Sequence, residues 1–344
     1  RISKPLSVRI IGTIDTQTRD ADGTKTTDIN NGVVAIDGLT DKIISNGKDS
    51  YFNMLDVTGS KGGLTVEGIG EDANILKWGF TFKSNCQDVE VRNLTFSKYP
   101  EDACAAENSK YFWLHNCVFN IGENKYDITD EKDKGDGDGA TDMNGNSNVT
   151  IAYCRYNQTH KTSLNGGSDS VKSYNYTYHH NFFNGCKSRL PLTRQVNLHM
   201  YNNYYEGQTD YAVNPRANAF IFAEYNVFNR VKNACQVKSG GVCKSYNNFF
   251  ISCSGNQQQT EVANKSDTVS SSSTYANFDT NPSLSYIPNG NYKLLTDSKE
   301  IMADVKAYAG AMKENPVRAE EVNASIIDSD YLPTAPVTVP YEKA

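Results

Sequence analysis

Residues 200–229 read MYNNYYEGQTDYAVNPRANAFIFAEYNVFN, and the two ends of this stretch are versions of one phrase: an aromatic or apolar strand with a small polar residue at its centre. The phrase recurs as EVRNLTF (90–96), LHNCVFN (114–120), IAYCRYN (151–157), YHHNFFN (178–184) and KSYNNFF (244–250). Aligned on their centres, the copies place Asn93, Cys117, Cys154, Asn181, Asn203, Asn226 and Asn248 at one register. The last four stand 22, 23 and 22 residues apart, after intervals of 24, 37 and 27. A near-constant period of short strands, without helical periodicity between them, is the pattern of stacked coils with loops of variable length inserted. Leucine-rich repeats share the period, but their L-x-x-L-x-L pattern is absent. The expected fold is therefore all-β: a right-handed parallel β-helix. Asparagines repeated at one register can join their amides into a ladder that satisfies buried polar groups at a tight turn. Cys117 and Cys154 read as buried thiols in the same row.

After about residue 254 the phrase stops. The reading makes residues 1–344 a single domain. Residues 1–254 form the β-helix with its groove, and 255–344 form loops, a helix and a tail that pack on the solenoid. The helix is expected over 298–314, SKEIMADVKAYAGAMKE, where apolar residues recur at helical spacing.

Hydrophobic residues make up 38% of the chain, with 21 Tyr and no long apolar run, so no membrane-spanning helix is expected. Forty acidic against 34 basic residues give a net charge of −6, which argues against nonspecific nucleic-acid binding. A monomer is expected. Eight cysteines fit an oxidising compartment, and Cys235 and Cys243 flank a Gly-containing loop, QVKSGGV, that a disulfide could close. The start, RISKPLSVRIIGTID, carries no apolar signal-peptide core, so the chain reads as mature or trimmed and secretion is an inference.

Two stretches carry chemistry. CKSRLPLTRQV (186–196) sets Lys187, Arg189 and Arg194 within eight residues around Pro191. Cations that close repel one another, so an anionic ligand is expected there, with a solvated basic loop as the alternative. TDEKDKGDGDGATDM (129–143) interleaves Asp133, Asp136, Asp138 and Asp142 with glycine, a pattern suited to a hard cation such as Ca2+. An EF-hand does not fit, because no carboxylate stands at the twelfth position.

The segments GLTVEGIGEDANI, VRNLTF, PEDACAAENSKYFWLHNC, DGATDM, HKTSLNGGSDS, YHHNFFNGCKSRLPLTR and HMYNNYYEG together resemble the calcium-dependent pectate lyases of polysaccharide lyase family 1, over roughly residues 5–255. The most specific match is R-x-P-x-x-R, here Arg189 to Arg194. The resemblance implies Ca2+ as cofactor and polygalacturonate as substrate, cleaved by β-elimination to 4,5-unsaturated products. It implies Asp138 and Asp142, the ends of D-G-x-x-D, and Asp102 as metal ligands. It also implies Arg189 as catalytic base with Arg194 as its partner, and Lys161, Arg216 and Lys187 as substrate-binding cations. A free arginine has a pKa above about 12, so the base role comes from the resemblance and not from ordinary acid–base chemistry.

Two positions depart from the family pattern. His115 stands in Trp113-Leu114-His115-Asn116 where W-I-D-H is common, and Asn144 stands where a lysine often follows D-G-x-x-D. Both are expected to touch calcium or substrate contacts. The competing readings are a pectin lyase acting on methyl-esterified chains without Ca2+, a polygalacturonase with paired catalytic Asp residues, and a non-catalytic β-helical carbohydrate-binding module.

Overall fold

The computed structural model describes residues 6–15, 54–58, 63–83, 86–99, 101–123, 136–207, 210–275, 277–279, 292 and 294–311. Each repeated phrase is the corner of a coil. In one coil the strand Tyr174–His179 turns into Phe182–Asn184, and Leu192–Arg194 closes the third side. The next coil repeats this with Asn197–Tyr201, Tyr204–Glu206 and Asn214–Arg216, each parallel to its predecessor. The third sides form a sheet of seven described strands, running from Met54–Thr58 to Asn214–Arg216. The chain is a parallel β-helix.

The corners explain the polar centres. The residue just before each centre is left-handed: Asn116, Tyr153, His180, Asn202, Tyr225 and Asn247 have φ between 47° and 53°. That conformation is unfavourable for side chains with a Cβ, so something local must hold it. The Asn ladder does. Asn181 Nδ2 donates to Asn203 Oδ1 at 2.9 Å, Asn203 to Asn226 at 2.8 Å, and Asn226 to Asn248 at 2.8 Å. The same oxygens accept the preceding corner's backbone N–H groups, and Cys154 N donates to Asn181 Oδ1 at 2.9 Å. Cys117 and Cys154 continue the row as fully buried thiols.

Asn93 is not a rung. Arg92 pairs with His115 and Thr95 with Val118, which puts Leu94 in the row and makes Asn93 itself the left-handed residue, at φ 54°. Matching Asn to like residues shifts that coil by one. The pairing instead keeps the interior rings in phase: Phe96, Phe119, Tyr156, Phe183, Tyr205, Phe228 and Phe250 stack in succession, with centroids 4.5–5.1 Å apart. Each ring pair contributes about 0.5–1.5 kcal/mol beyond its buried area.

All eight cysteines are free thiols, seven of them buried, so the expected Cys235–Cys243 disulfide is absent. The two thiols meet as hydrogen-bond partners. The loop between them is closed by its backbone instead, where Gly241 N donates to Lys238 O at 2.9 Å. These cysteines act as small core residues, so their number carries no argument about redox compartment.

The helix is shorter than expected, Ser298–Tyr308. Asp297 caps its start, accepting from Lys299 N and Glu300 N. Its last carbonyls are taken by the solenoid: Arg155 donates to Ala309 O and Lys306 O, and Gly310 N donates to Tyr153 O. Residues 312–314 lie outside the described residues, as does the tail. Ile301, Val305 and Ala309 bury against Phe182, Tyr204 and Val227.

The outer face of the Tyr174–His179 sheet holds His115, His179, His180 and His199, all buried. Burial, then the neighbouring His180, His199 and His115, push His179 well below the ordinary histidine range. His199 is also lowered, because burial outweighs its 2.9 Å hydrogen bond to Glu224. Both take up a proton less readily when folded than in the unfolded chain, where histidine protonates below about pH 6.5. The unfolded state then binds more protons, so stability falls as pH drops. The raised Asp142 and Asp102 carboxyls act in the opposite sense over the same window, so the histidine part is read as a difference: as pH falls from about 7 to about 5, the Tm of wild type should drop relative to that of His179→Gln. A Tm difference between the two that is independent of pH across that window would contradict these assignments.

Candidate active site

The seven-stranded sheet carries the site on its outer side. Strand alternation sends Thr141 and Ser163 inward, where their hydroxyls meet each other and the Tyr156 and Tyr178 hydroxyls. Asp142 therefore faces outward, paired with Leu164 of the next coil.

At the acidic end, two carboxylates from neighbouring coils converge over Gly139. Asp102 Oδ1 accepts from Gly139 N at 2.9 Å. A Cβ at Gly139 would lie 2.5 Å from Asp142 Oδ1 and 2.7 Å from Asp102 Oδ1, so any side chain there would have to displace the two carboxylates. Asp142 is 8% exposed, and its Oδ1 is buried without a hydrogen-bond partner among the described residues. Burial and Asp138 push the Asp142 carboxyl up to about 7, against the opposing pull of Arg189, the Leu164 N–H and Lys161. Burial, then Asp142 and Asp138, raise Asp102 well above the carboxylate range. Buried carboxylates that repel one another and leave an oxygen orphaned suit a hard cation. Asp138 is turned aside, with Lys161 Nζ 3.2 Å from its Oδ1. Among the described residues no three His, Cys, Asp or Glu side chains close around one point. Asp133 lies outside the described residues, and Asp136 sits 3.9 Å from His160 Nδ1.

The cations follow on the next coils. Ser188 bridges Lys161, and Ser163 N donates to Arg189 O at 2.7 Å, which fixes Arg189 one coil beyond Lys161. Arg189 is left-handed at φ 61°, ahead of a cis Leu190–Pro191 peptide. Its charge acts on both Asp142 and Arg216. Arg194 pairs in register with Arg216. Arg194 Nε lies 3.4 Å from Asp169 Oδ1, and Arg216 Nε donates to Asn214 Oδ1 at 2.8 Å. Burial lowers Arg216, Arg194 and Arg189 lower it further, and Tyr211 and Asp169 oppose them.

One face thus gathers Asp102, Asp138, Asp142, Lys161, Arg189, Arg194 and Arg216. Lys187 is exposed and its charge acts on His160, which burial also lowers. Asn144 packs under Gly167, its amide 3.1–3.2 Å from where a Gly167 Cβ would stand. His115 is elsewhere, and the expected contact with the acidic region does not form. Its strand, Lys110–His115, pairs with Ser147–Ala152 on another side of the coil. There His115 is buried, stacked on Trp113, with Nε2 3.0 Å from Glu90 Oε1 and Nδ1 2.9 Å from Asn116 Oδ1. Burial raises Glu90, but His115 and Arg92 outweigh it and hold its carboxyl at about 2.

Two residues of the site were not anticipated. Gly139 appears in the acidic motif only as a flexible spacer, whereas its missing Cβ makes the space for both carboxylates. Asp169 has no sequence signal, since only folding brings it to Arg194.

A family model described as pectate lyase matches residues 8–314. Pectate lyase 2 of Pectobacterium carotovorum is 31% identical over 269 residues, covering 73% of this chain and 68% of that protein. A pectate trisaccharide-lyase of Thermotoga sp. (strain RQ2) is 33% identical over 159 residues, 41% of this chain and 39% of that one. In structure, the chain resembles a pectate lyase from Bacillus sp. N165, solved in complex with trigalacturonate, with a TM-score of 0.61 at 20% identity over 89% of this chain and 85% of that one. A family match across most of the β-helix, meeting a parallel solenoid whose groove carries the R-x-P-x-x-R arginines beside paired aspartates, places this chain in the pectate lyase family.

Proposed function

We propose that this protein cleaves α-1,4-polygalacturonate by β-elimination with Ca2+ as cofactor, releasing 4,5-unsaturated oligogalacturonates. The observation that carries the reading is the orphaned Asp142 oxygen beside Asp102, one coil from a row of cations. Asp102 and Asp142 would hold the ion, with Asp138 released from Lys161 to join them. Bound there, Ca2+ supplies electron withdrawal from the uronate carboxylate, which acidifies the neighbouring C5 proton.

The chain's own residues do the rest. Lys161 and Arg216 bind uronate carboxylates, and Arg194 positions the sugar beside Arg189. Arg189, acting as the neutral guanidine, takes the C5 proton and becomes guanidinium, the C5–H electron pair becomes the C4–C5 double bond, and the C4–O bond breaks, with the departing oxygen taking a proton from solvent. A hydrolase would need carboxylates flanking the bond, one to protonate the leaving oxygen and one to activate water. Here Asp102 and Asp142 converge on one point instead. A methyl-esterified chain would leave the cationic row without countercharge.

The reading extends to a secreted monomer forming one domain. No helix among the described residues is long and apolar enough to cross a membrane. Ultraviolet absorbance of the unsaturated product tests the proposal, measured on polygalacturonate and on methyl-esterified pectin, with and without chelator. Activity on polygalacturonate that chelator removes and Ca2+ restores is the expected result. Activity indifferent to chelator, or higher on the ester, would overturn it.

A further inference from the structure

We infer that Lys238 is a further carboxylate-binding residue, extending the cationic row one coil past Arg216 and favouring longer polyuronate chains. The inference rests on the polygalacturonate reading of the groove and adds a position to it.

Register carries the argument. Arg194 pairs with Arg216, and the next coil continues the row: Gln236 N donates to Val213 O at 2.9 Å, and Lys238 N to Pro215 O at 3.0 Å. Asn214 Nδ2 also donates to Gln236 Oε1 at 3.2 Å. Residue 236 therefore lies beside 214, and 238 beside 216. Val237 packs against the hydrophobic core, so strand alternation turns Lys238 outward, on the side of Arg216. Lys238 is exposed and has no ion-pair partner among the described residues.

The backbone beneath it is held in place. Gly241 N donates to Lys238 O, and the two residues between them, Ser239 and Gly240, are both left-handed, at φ 47° and 74°. Two consecutive left-handed residues make a type I′ turn, a tight reversal with little freedom. Gly241 sits directly on the coil of Arg216, since a Cβ there would lie 2.3 Å from Pro215 C and O. The turn therefore fixes the lysine's Cα against the groove while leaving its ammonium free to reach a ligand.

Adjacent strands stand about 4.8 Å apart. Arg194, Arg216 and Lys238 thus offer one cation per coil to a polymer with one carboxylate per sugar. Glu107 and Asn144 pair with each other toward the opposite end of the same sheet, so no cation row continues there. The charge gradient points past Arg216.

The test is steady-state kinetics of the full chain with Ca2+. Lys238→Met should raise KM for polygalacturonate about two- to fivefold, the range for an exposed charge pair, with kcat unchanged. Its KM should also depend less steeply on salt. Lys238→Arg should keep the wild-type KM, trigalacturonate should show no difference between the variants, and Lys110→Met, an exposed lysine on another sheet, should change nothing. An unchanged KM in Lys238→Met while Arg216→Ala raises it would overturn the role of Lys238 alone. A fall in kcat at unchanged KM would overturn it as well. If Arg216→Ala also leaves KM unchanged, the groove reading itself fails.

Discussion

Arg189→Lys should lower kcat on polygalacturonate by about a hundredfold or more, the usual scale for losing a positioned acid–base group, while KM changes little. A lysine keeps the positive charge but loses the planar fork and shortens the reach. The backbone cannot move to compensate. Arg189 is held left-handed at φ 61° and its carbonyl accepts from Ser163 N at 2.7 Å, so its Cα is tied to the Lys161 coil. The substitution should leave the fold intact, because the side chain is only partly buried and Lys populates this backbone region about as readily as Arg. The checks are kcat and KM by product absorbance, with a thermal melt to show an unchanged Tm. Retention of more than about a tenth of wild-type kcat would remove Arg189 from the role of base, since a lost general base costs far more.

The architecture was legible because a solenoid writes its geometry into the sequence once per coil. Asn181, Asn203, Asn226 and Asn248 recur at the coil length and do form the ladder, and the aromatic residue two places later recurs with them and stacks. Where the period breaks, the reading slips. Asn93 invited alignment by residue type, but the stacking of Phe96 on Phe119 fixes the register one residue away. Cys235 and Cys243 are near neighbours in sequence, yet their loop is already closed by a backbone turn, so proximity did not mean a bond. His115 failed for a different reason: strand-to-sheet assignment is a three-dimensional fact, and WLHN belongs to the side of the coil away from the acidic end. The site residues were reachable only through resemblance, because a lone Lys161 or Arg216 carries no sign of which coil face it occupies. Lys238 became visible only once strand register placed it beside Arg216.

Asp142→Ala should raise the Ca2+ concentration for half-maximal activity at least about tenfold, with excess Ca2+ restoring part of the rate. Asp142 is a buried carboxylate with an oxygen unpartnered among the described residues, and removing it leaves Asp102 alone over Gly139. Gly139→Ala should act in the same direction although it removes no oxygen. Its new methyl would stand 2.5 Å from Asp142 Oδ1 and 2.7 Å from Asp102 Oδ1, closer than real contacts allow, and would force the carboxylates apart. Asp136→Ala should leave the Ca2+ requirement unchanged, because that side chain lies toward His160. Titration calorimetry with Ca2+ and no substrate separates binding from turnover: Asp142→Ala and Gly139→Ala should both bind more weakly than wild type, and Asp136→Ala equally well. Wild-type affinity in Gly139→Ala would show that the converging carboxylates are not where the ion sits. Lost activity in Asp142→Ala that excess Ca2+ cannot restore, with an unchanged Tm, would instead move Asp142 from the metal to the substrate. Either outcome turns on the same feature, since the only reason for a glycine at 139 that the structure shows is the space it leaves between two like charges.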